Sequence, residues 1–354
     1  MNLKAVGEPL MLLVAWLTIL LAFAFTFTNG FQDASSVAAT FIASRSATPR
    51  QGIIFIAVMA FLGALFGGSA VAFTISGLLA LEPNARLVHI VLSGVAAATI
   101  WNLVTWKFGL PSSSTHGLIG GLVGAGIASS GVGSVYWGIG SLLAPPHELT
   151  GLVKVLAFLV LSVLLGLIGG YVMRNITRLL LRNAKRSVNR DISHLNWTAA
   201  AVMAFSNGAN DSQKQMGIIA LVLFSAGFTV SMDVPFWTRV MCALLLGAGT
   251  LSGGWRIMTT LGRKIFRIEP IHSFDSQVSS GTILAASTLA GAPVSSSHII
   301  ATSVIGVGIA ENPRKIHWLA GKEIVVAMIV TIPVTMFLAY GISLLILPFT
   351  GGVL

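Results

Sequence analysis

Long apolar runs follow one another along almost the whole chain, separated by short polar or glycine-containing segments. The runs cover residues 10–28, 52–81, 87–106, 118–143, 152–173, 199–205, 216–230, 236–251, 282–289, 299–310 and 324–347. A helix needs about 20 apolar residues to cross a bilayer, and several of these runs are shorter than that. The alternating pattern of an outer-membrane barrel is absent from the sequence. The pattern therefore predicts an all-α integral membrane protein in which some helices are interrupted.

The composition excludes a soluble protein. Charged residues make up 9% of the chain and apolar ones 55%, with a mean hydropathy of +0.88, whereas an ordinary globular protein has about 25% charged residues. The first apolar run lacks a polar mature region after it, so it predicts a membrane span rather than a cleaved signal peptide. Cys242 is the one cysteine of the sequence, which excludes an intrachain disulfide and a cysteine metal cluster.

The chain carries a net charge of +10 and a basic segment near its midpoint. Six basic residues fall within 17 positions: Arg174, Arg178, Arg182, Lys185, Arg186 and Arg190. Basic residues beside membrane spans mark cytoplasmic loops, and we favour that interpretation over an anionic-lipid patch or a nucleic-acid partner. The predicted organisation is a first transmembrane repeat at residues 1–173, a basic cytoplasmic linker at 174–195 and a second transmembrane repeat at 196–354.

Two different motifs recur in the same order in the two halves. FTNGFQD at residues 27–33 returns as FSNGAND 178 positions later, at 205–211. GLPSSSTH at 109–116 returns as GAPVSSSH 182 positions later, at 291–298. Interrupted hydrophobic segments at corresponding positions of two halves are a sequence pointer to the binding site of a transporter. The duplication therefore favours a transporter over an enzyme or a channel.

Asp33 and Asp211 close the two copies of the first motif, each between apolar runs. A carboxylate at membrane depth costs about 2.5–3.5 kcal/mol, so its presence twice indicates function more than a helix cap. Asparagines accompany them at Asn29, Asn207 and Asn210. A glycine in each motif lets the backbone leave helical geometry. Freed carbonyls, amides and carboxylates would then form an oxygen-rich site for a coupling cation, or a carboxylate would accept a proton.

The second motif offers hydroxyl groups where a helix is expected to start after proline. The hydroxyl residues are Ser113, Ser114, Thr115, Ser295, Ser296 and Ser297. The N-terminus of a helix attracts anions, and these residues would surround a tetrahedral oxyanion, unless their hydroxyls bond back to their own helix. We expect no arginine or lysine in this anion site. Since two carboxylates would repel the anion, a cation or proton must enter with it, which predicts coupled co-transport.

Four further polar residues are possible accessories to the site. His116 and His298 end the two hydroxyl motifs and are either proton carriers or structural hydrogen-bonding groups. Lys214 either pairs with Asp211 or lines the pathway, and Gln213 stands beside it. The sequence has neither a nucleophile elbow nor a metal-binding His-Glu-x-x-His pattern. We therefore predict no catalytic residues, no metal, no cofactor and no enzyme activity.

The motifs together resemble those of the inorganic phosphate transporter (PiT) family. They are residues 29–34, 101–102, 109–116, 205–214, 254–262 and 291–298, and the resemblance extends over nearly the whole chain. The resemblance implies about 10–12 transmembrane helices with re-entrant hairpins, two inverted repeats and a homodimer. It also implies phosphate import by Na⁺ or H⁺ symport across a membrane, in bacteria the cytoplasmic (inner) membrane. By motif position, the aspartates and asparagines would serve cation and phosphate, and the hydroxyl residues would hold phosphate.

The sequence departs from the family pattern at a few positions. Gln32 stands where bacterial relatives often carry His or Asn, Ser35 and Ser36 replace Ala and Asn, and Asp275 shifts a carboxylate by one place. These changes could alter the coupling ion or the substrate. A sulfate permease of the same fold is the main alternative, and an anion channel a weaker one. Phosphate is favoured because it keeps a proton near neutral pH and can donate a hydrogen bond to a carboxylate.

Overall fold

The structure, a computed structural model, describes residues 3–110, 112–145, 147–184, 188–253 and 266–350. Apart from one isolated bridge between Leu79 and Val135, the regular structure in these ranges is helical, which confirms the predicted all-α class. Five helical segments are long and apolar enough to cross a membrane: Pro9–Ala43, Pro49–Phe66, Ala85–Phe108, Gly151–Leu180 and Val325–Pro348. The motif at 254–262, together with Pro111, Lys185 and Arg186, lies outside the described residues.

The helices of the first half are α1 (Leu3–Ala43), α2 (Pro49–Phe66), α3 (Ala70–Ser76), α4 (Ala85–Phe108), α5 (Ser114–Ser130), α6 (Ile139–Leu143) and α7 (Gly151–Leu180). Those of the second half are α8 (Val188–Ser225), α9 (Phe236–Ser252), α10 (Pro270–Leu289), α11 (Ser296–Glu311) and α12 (Trp318–Thr350). The apolar runs 52–81 and 118–143 each divide into a long and a short helix. They divide next to Gly68 and Gly131, whose φ angles are 87° and 77°, because left-handed backbone ends a helix.

The aspartate motifs do not interrupt their helices, so the predicted break there is wrong. α1 and α8 run through FTNGFQD and FSNGAND as continuous helix. The glycines instead permit close packing: a Cβ on Gly30 would lie 2.4 Å from the carbonyl oxygen of Leu246 in α9. A Cβ on Gly208 would lie 2.1 Å from the carbonyl oxygen of Ala60 in α2. The backbone carbonyls stay in helical hydrogen bonds, and only the side chains of the motif are offered to a ligand.

The hydroxyl motifs form the turns of two helical hairpins, α4–α5 and α10–α11. Gly109 and Gly291, at equivalent positions, adopt left-handed φ angles of 67° and 64° and turn the chain at the end of the first helix. Ser113 then caps α5, its side chain accepting a hydrogen bond from the backbone N–H of His116. The described residues of both turns from position 112 to 116 and from 292 to 298 are buried. Both hairpins therefore bring their turns into the interior of the protein, as re-entrant hairpins do.

Equivalent helices of the two halves pack in a reciprocal way. α1 packs against α9 of the second half, and α8 packs against α2 of the first. The last helix of each half covers the hairpin of the other, so that α7 lies on α11 and α12 lies on α5. The helices of the two halves therefore pack between one another, and both halves contribute to the middle of the molecule. That the two repeats are inverted relative to the membrane stays a prediction.

Apolar side chains face outward and polar ones collect inside. Leu20, Phe236 and Phe337 are more than half exposed on the outer surface. Buried hydroxyl, amide and carboxylate groups concentrate instead along the middle of α1 and α8 and at the two hairpin turns. Lipid accepts an apolar exterior, whereas buried polar groups need partners within the protein or in a ligand. This distribution marks the middle of the molecule as the place to look for a site.

Candidate functional site

The two hairpin turns meet tip to tip through a reciprocal pair of hydrogen bonds. Thr115 Oγ1 donates to the backbone carbonyl of Val294 at 3.2 Å. Ser297 Oγ donates to the carbonyl of Ser112 at 3.5 Å. Ser297 is the equivalent of Thr115, and Val294 is the equivalent of Ser112, each 182 positions later. The second bond therefore repeats the first with the two halves exchanged. The contact therefore has approximate two-fold symmetry, and the N-termini of α5 and α11 approach the same central region.

The two histidines stand at this approximate two-fold axis. The rings of His116 and His298 contact each other edge to face, with centroids 4.8 Å apart. Both side chains are buried. Among the described residues none pairs with His116 Nδ1 or with either ring nitrogen of His298. A structural role for His298 through hydrogen bonds to the hairpin backbone therefore finds no support in the structure, and a role as proton carrier stays a prediction.

Apart from Ser113, which caps α5, three hydroxyl groups of the turns bond to other segments rather than back to their own helices. Ser296 Oγ donates to Asp211 Oδ2 at 2.7 Å, and Thr115 and Ser297 donate across to the opposite turn. By contrast, Thr302 in the body of α11 donates to a carbonyl four residues earlier. The first turns of α5 and α11 also carry amide N–H groups without intrahelical acceptors. Two positive helix ends lined by hydroxyls can together bind a tetrahedral oxyanion.

The second carboxylate is fully paired. Asp211 Oδ1 accepts a hydrogen bond from Lys214 Nζ at 2.5 Å, and Asp211 Oδ2 accepts one from Ser296. Lys214 Nζ also donates to Thr115 Oγ1 at 2.7 Å and to the carbonyl of Val294 at 2.8 Å. The side chains of lysine and aspartate are 1% and 0% exposed. Lys214 thus joins α8 to both hairpin turns.

The expectation that no lysine enters the hydroxyl-rich site is therefore wrong. Lys214 belongs to neither hydroxyl motif, but it follows Asp211 by three residues on α8 and shares its face of the helix. Its long side chain reaches the turns from there. Of the two alternatives for Lys214 that the sequence left open, the structure shows the ion pair with Asp211.

The first carboxylate lies beside the second, close enough for the two side chains to share a hydrogen bond when one is protonated, and in the described ranges it has no counter-charge of its own. Asp33 is 2% exposed, and among the described residues none donates a hydrogen bond to either of its oxygens. The charged groups that act on it are Asp211 and Lys214. Asn29, one turn earlier on α1, also has a buried side-chain oxygen without a donor. Buried oxygens of this kind suit a hard cation, a proton or a ligand that donates hydrogen bonds.

Equivalent amides hold the two aspartate helices to the hairpins. Gln32 Nε2 donates to Thr105 Oγ1 at 3.4 Å and to the carbonyl of Ser112 at 3.1 Å. Asn210, its equivalent, donates to Thr288 Oγ1 at 3.1 Å and to a carbonyl of the following turn at 3.3 Å. The sequence marked the glutamine as a departure from the family pattern and did not place it in the site. The equivalent position of Asn210 in the second motif is the sequence signal that could have placed Gln32 in the site.

The remaining predicted residues divide between the centre and its surroundings. Asn207 is buried on α8 with its side-chain oxygen lacking a donor in the described part of the chain. Ser114 and Ser295 are buried at the starts of α5 and α11. Gln213 points elsewhere: its side chain bonds Gly67 and the backbone N–H of Val71, both at 2.8 Å. The structure brings the aspartates, Lys214 and the hydroxyls together but leaves Gln213 on the side of α3.

A second buried polar cluster joins α7, α10 and α11. Arg174 pairs with Glu311 at 2.6 Å and with Asp275 at 3.4 Å. Thr177 Oγ1 donates to Asp275 Oδ1 at 2.6 Å, and the aspartate side chain is fully buried. Arg178 donates to the carbonyl of Ala310 at the end of α11. Two of the six basic residues of the predicted linker are therefore bonded to the second hairpin rather than standing free in a loop.

Comparison with known proteins gives concordant matches along the chain. The model of the phosphate transporter family matches residues 29–195 and 182–339. A probable low-affinity inorganic phosphate transporter of Bacillus subtilis (strain 168) is 33% identical over 331 residues, covering 92% of this chain and 95% of its own. One of Rhizobium meliloti (strain 1021) is 36% identical over 317 residues, covering 89% and 91%.

One solved structure has the same fold. The chain superposes on "The sodium-dependent phosphate transporter" with a TM-score of 0.83 and 22% sequence identity. The match covers 94% of this chain and 98% of the other. At this identity the likeness concerns the fold alone. Because the sequence relatives are transporters, the prediction that the chain is not an enzyme is confirmed.

Proposed function

The chain belongs to the phosphate transporter family, and on that premise we propose that it imports inorganic phosphate by symport with Na⁺ or H⁺. It is a multi-pass membrane protein. The observation that carries the proposal is the meeting of two hydroxyl-lined helix N-termini beside the buried pair Asp33 and Asp211. Anion-binding and cation-binding groups thus occupy one interior site.

Phosphate would bind between the starts of α5 and α11. Six hydroxyl residues surround this place: Ser113, Ser114, Thr115, Ser295, Ser296 and Ser297. The first-turn amide groups of both helices add donors and the positive ends of two helix dipoles. Two opposed anion sites of this kind can engage more of the oxygens of a tetrahedral anion than either site alone.

The charges at the centre require a cation to accompany the anion. Two carboxylates and one ammonium, from Asp33, Asp211 and Lys214, leave one negative charge when both carboxylates are ionised and the neighbouring histidines are neutral. Phosphate adds about one to two more near neutral pH. Buried like charges are expensive in a low-dielectric interior. A proton or Na⁺ entering with phosphate would offset this repulsion, with Asp33, Asn29, Asn207, Asn210 and Asp211 as its oxygen ligands or acceptors.

Phosphate fits the site better than sulfate does. A phosphate that keeps a proton can donate a hydrogen bond to a carboxylate, whereas sulfate cannot. The unpaired oxygens of Asp33 are acceptors for that bond. We further propose that the protein is a homodimer in the cytoplasmic (inner) membrane of a bacterium. The bacterial relatives and the basic segment at 174–195 support the assignment to this membrane.

The test is uptake of radiolabelled phosphate by proteoliposomes under separately imposed Na⁺ and H⁺ gradients. We expect accumulation driven by one of the gradients and little competition from excess sulfate. Ser114→Ala combined with Ser296→Ala should reduce uptake by about 10-fold or more, since a hydroxyl beside the phosphate position and the bond that Ser296 donates to Asp211 are both lost. Ser252→Ala on the exposed surface of α9 is the matched control and should leave uptake unchanged.

Three results would contradict the proposal. Flux that persists at equal rate without either gradient would indicate a channel. Equal inhibition by sulfate and by unlabelled phosphate would indicate a less selective permease. Equal uptake by the double serine variant and the wild type would remove the hairpin turns from the phosphate site.

A further inference from the structure

We infer that Lys214 is a built-in counter-ion of Asp211, so that the exchangeable coupling cation binds on the Asp33 side of the centre alone. The inference rests on the proposed symport of phosphate with a cation. It concerns how many cations accompany phosphate and which of the two equivalent carboxylates receives them.

The ammonium group of Lys214 has no donor left for phosphate. An ammonium group has three N–H donors. The structure directs them to Asp211 Oδ1, Thr115 Oγ1 and the carbonyl of Val294 at 2.5, 2.7 and 2.8 Å. Binding phosphate through Lys214 would break one of these bonds in a buried site. The lysine therefore acts on phosphate through charge and through the position of the turns, as a positioning residue.

The ammonium group stands where a coupling cation would otherwise be needed. Asp211 receives Lys214 on one oxygen and Ser296 on the other, so its charge is neutralised and both oxygens are bonded. A Na⁺ ion at this carboxylate would have to displace a tethered cation whose partners are already complete. Protonation of Asp211 is unfavourable too, because it would leave the buried ammonium group without a counter-charge.

The first half has no lysine at the position equivalent to Lys214. Lys214 corresponds to Ser36, which lies 178 positions earlier and is buried on α1. A serine side chain is neutral and short, and it provides no charge for Asp33. Neither oxygen of Asp33 receives a donor from the described residues, and the side-chain oxygen of Asn29 on the same helix face is likewise unpaired. The unpaired groups on the α1 side thus include a carboxylate, whereas those on α8, among them the side-chain oxygens of Asn207 and Asn210, are neutral.

Within the part of the chain that the structure describes, the groups around this pair do not supply a second cation. The titratable groups that act on Asp33 are Asp211 and Lys214, and His116 from α5 also lies within electrostatic range of Lys214. His298 from α11 contacts His116. With one ammonium for two carboxylates, the centre has one charge position left for a mobile cation. Removing the ammonium should open a second position.

The cation-to-phosphate ratio of transport tests this directly. The ratio would be measured in proteoliposomes from the membrane potential at which net phosphate flux reverses, for the wild type, Lys214→Ser and Lys214→Arg. Lys214→Ser introduces the residue that the first half has at the equivalent position, Ser36. We expect this variant to transport one more cation per phosphate, and its phosphate uptake to depend more steeply on cation concentration. Lys214→Arg keeps the charge and should keep the wild-type ratio. An unchanged ratio in a transporting Lys214→Ser protein would overturn the inference.

A measurement on the wild type covers the case in which Lys214→Ser does not fold. Carbodiimide reagents modify protonated carboxyl groups, and the modified residues can be located by mass spectrometry. We expect Asp33 to be modified. If the gradient assay identifies Na⁺ as the coupling cation, adding Na⁺ should reduce this modification several-fold; if it identifies H⁺, lowering the proton concentration should do so. Asp211 should remain unmodified. Any other distribution between the two aspartates overturns the inference.

The two proposals fail in distinguishable ways. Wild-type protein that accumulates no phosphate under either gradient would contradict the proposed symport. Wild-type protein that accumulates phosphate, combined with cation-sensitive modification of Asp211, would contradict the role of Lys214 and leave symport standing.

Discussion

The two carboxylates of the centre occupy equivalent positions of a duplicated chain and have different surroundings. Asp211 is bonded on both oxygens, by Lys214 and by Ser296. Asp33 has Ser36 in place of the lysine, and none of the described residues donates to its oxygens. The scaffold around them stays reciprocal, with matching contacts between hairpin turns and between helices. Duplication thus supplied the symmetry, and substitution of single side chains removed it where charge matters.

The same contrast recurs away from the centre. At the end of α11, Glu311 pairs with Arg174, which also binds the buried Asp275. The residue equivalent to Glu311 in the first hairpin is Ser129, and it hydrogen-bonds Ser343 of α12 at 2.7 Å. One hairpin is therefore fastened to its covering helix by charges and the other by hydroxyls. The fold tolerates both because Arg174, Asp275 and Glu311 in one fastening, and Ser129 and Ser343 in the other, satisfy each other.

The largest expected effect distinguishes the two carboxylates. Asp211→Asn removes the counter-charge of a lysine that is 1% exposed, and breaking a buried ion pair costs about 3–5 kcal/mol. Asp33→Asn removes a carboxylate that has no cation among the described residues and is repelled by Asp211, so we expect the free energy of unfolding to change by less than about 1 kcal/mol. The measurement is the thermal unfolding midpoint of both variants in detergent. Equal destabilisation by the two variants would contradict the different pairing of the two carboxylates.

An intermediate effect is expected from the two fastenings of the hairpins. Arg174→Ala leaves Asp275 buried without its cation and should destabilise the protein by about 3 kcal/mol. Ser343→Ala removes a hydrogen bond between neutral groups and should cost about 1 kcal/mol. The difference should shrink at low pH, where Asp275 takes up a proton. Unfolding midpoints at two pH values check this, and the reverse order of the two variants would be incompatible with it.

The smallest expected difference concerns the glycines, where the two halves are alike. Gly30→Ala and Gly208→Ala each place a methyl group within 2.4 Å or less of a backbone carbonyl in the neighbouring helix. Overpacking of this kind costs about 1–3 kcal/mol, and we expect similar losses in unfolding free energy for both variants. Gly341→Ala in α12 has open space around the new methyl group and is the control. A large loss in one variant only would show that the helix packing is less symmetric than the contacts indicate.

Much of the architecture could be predicted from sequence because membrane proteins must satisfy a simple solvent rule. Lipid requires apolar surfaces and internally bonded backbone, so the apolar runs predicted helices and the shortage of charge predicted a membrane protein. The repeated motifs also predicted that their polar side chains come together, and Asp33, Asp211, Ser296 and Thr115 do lie in one cluster; that this cluster is the transport site stays a prediction.

The predicted helix break failed for a reason that sequence alone does not display. A glycine within an apolar run is compatible with a broken helix and with close packing of an intact one. Which of these applies to Gly30 and Gly208 depends on whether another backbone lies beside them, and it does. The role of Gln213 was missed likewise, because its partner Gly67 is far away in sequence.

The sequence by itself determined that this chain is a duplicated, helical membrane protein with two buried carboxylates and two hydroxyl motifs. Composition and repetition are properties of the chain, and the lipid environment turns them into structure directly. Only the tertiary structure decided which carboxylate carries a counter-ion. Lys214 lies three residues from Asp211, but its other partners come from two separate hairpins, Thr115 and Val294. A charge balance depends on distances between such segments, and those exist only once the two halves are packed together.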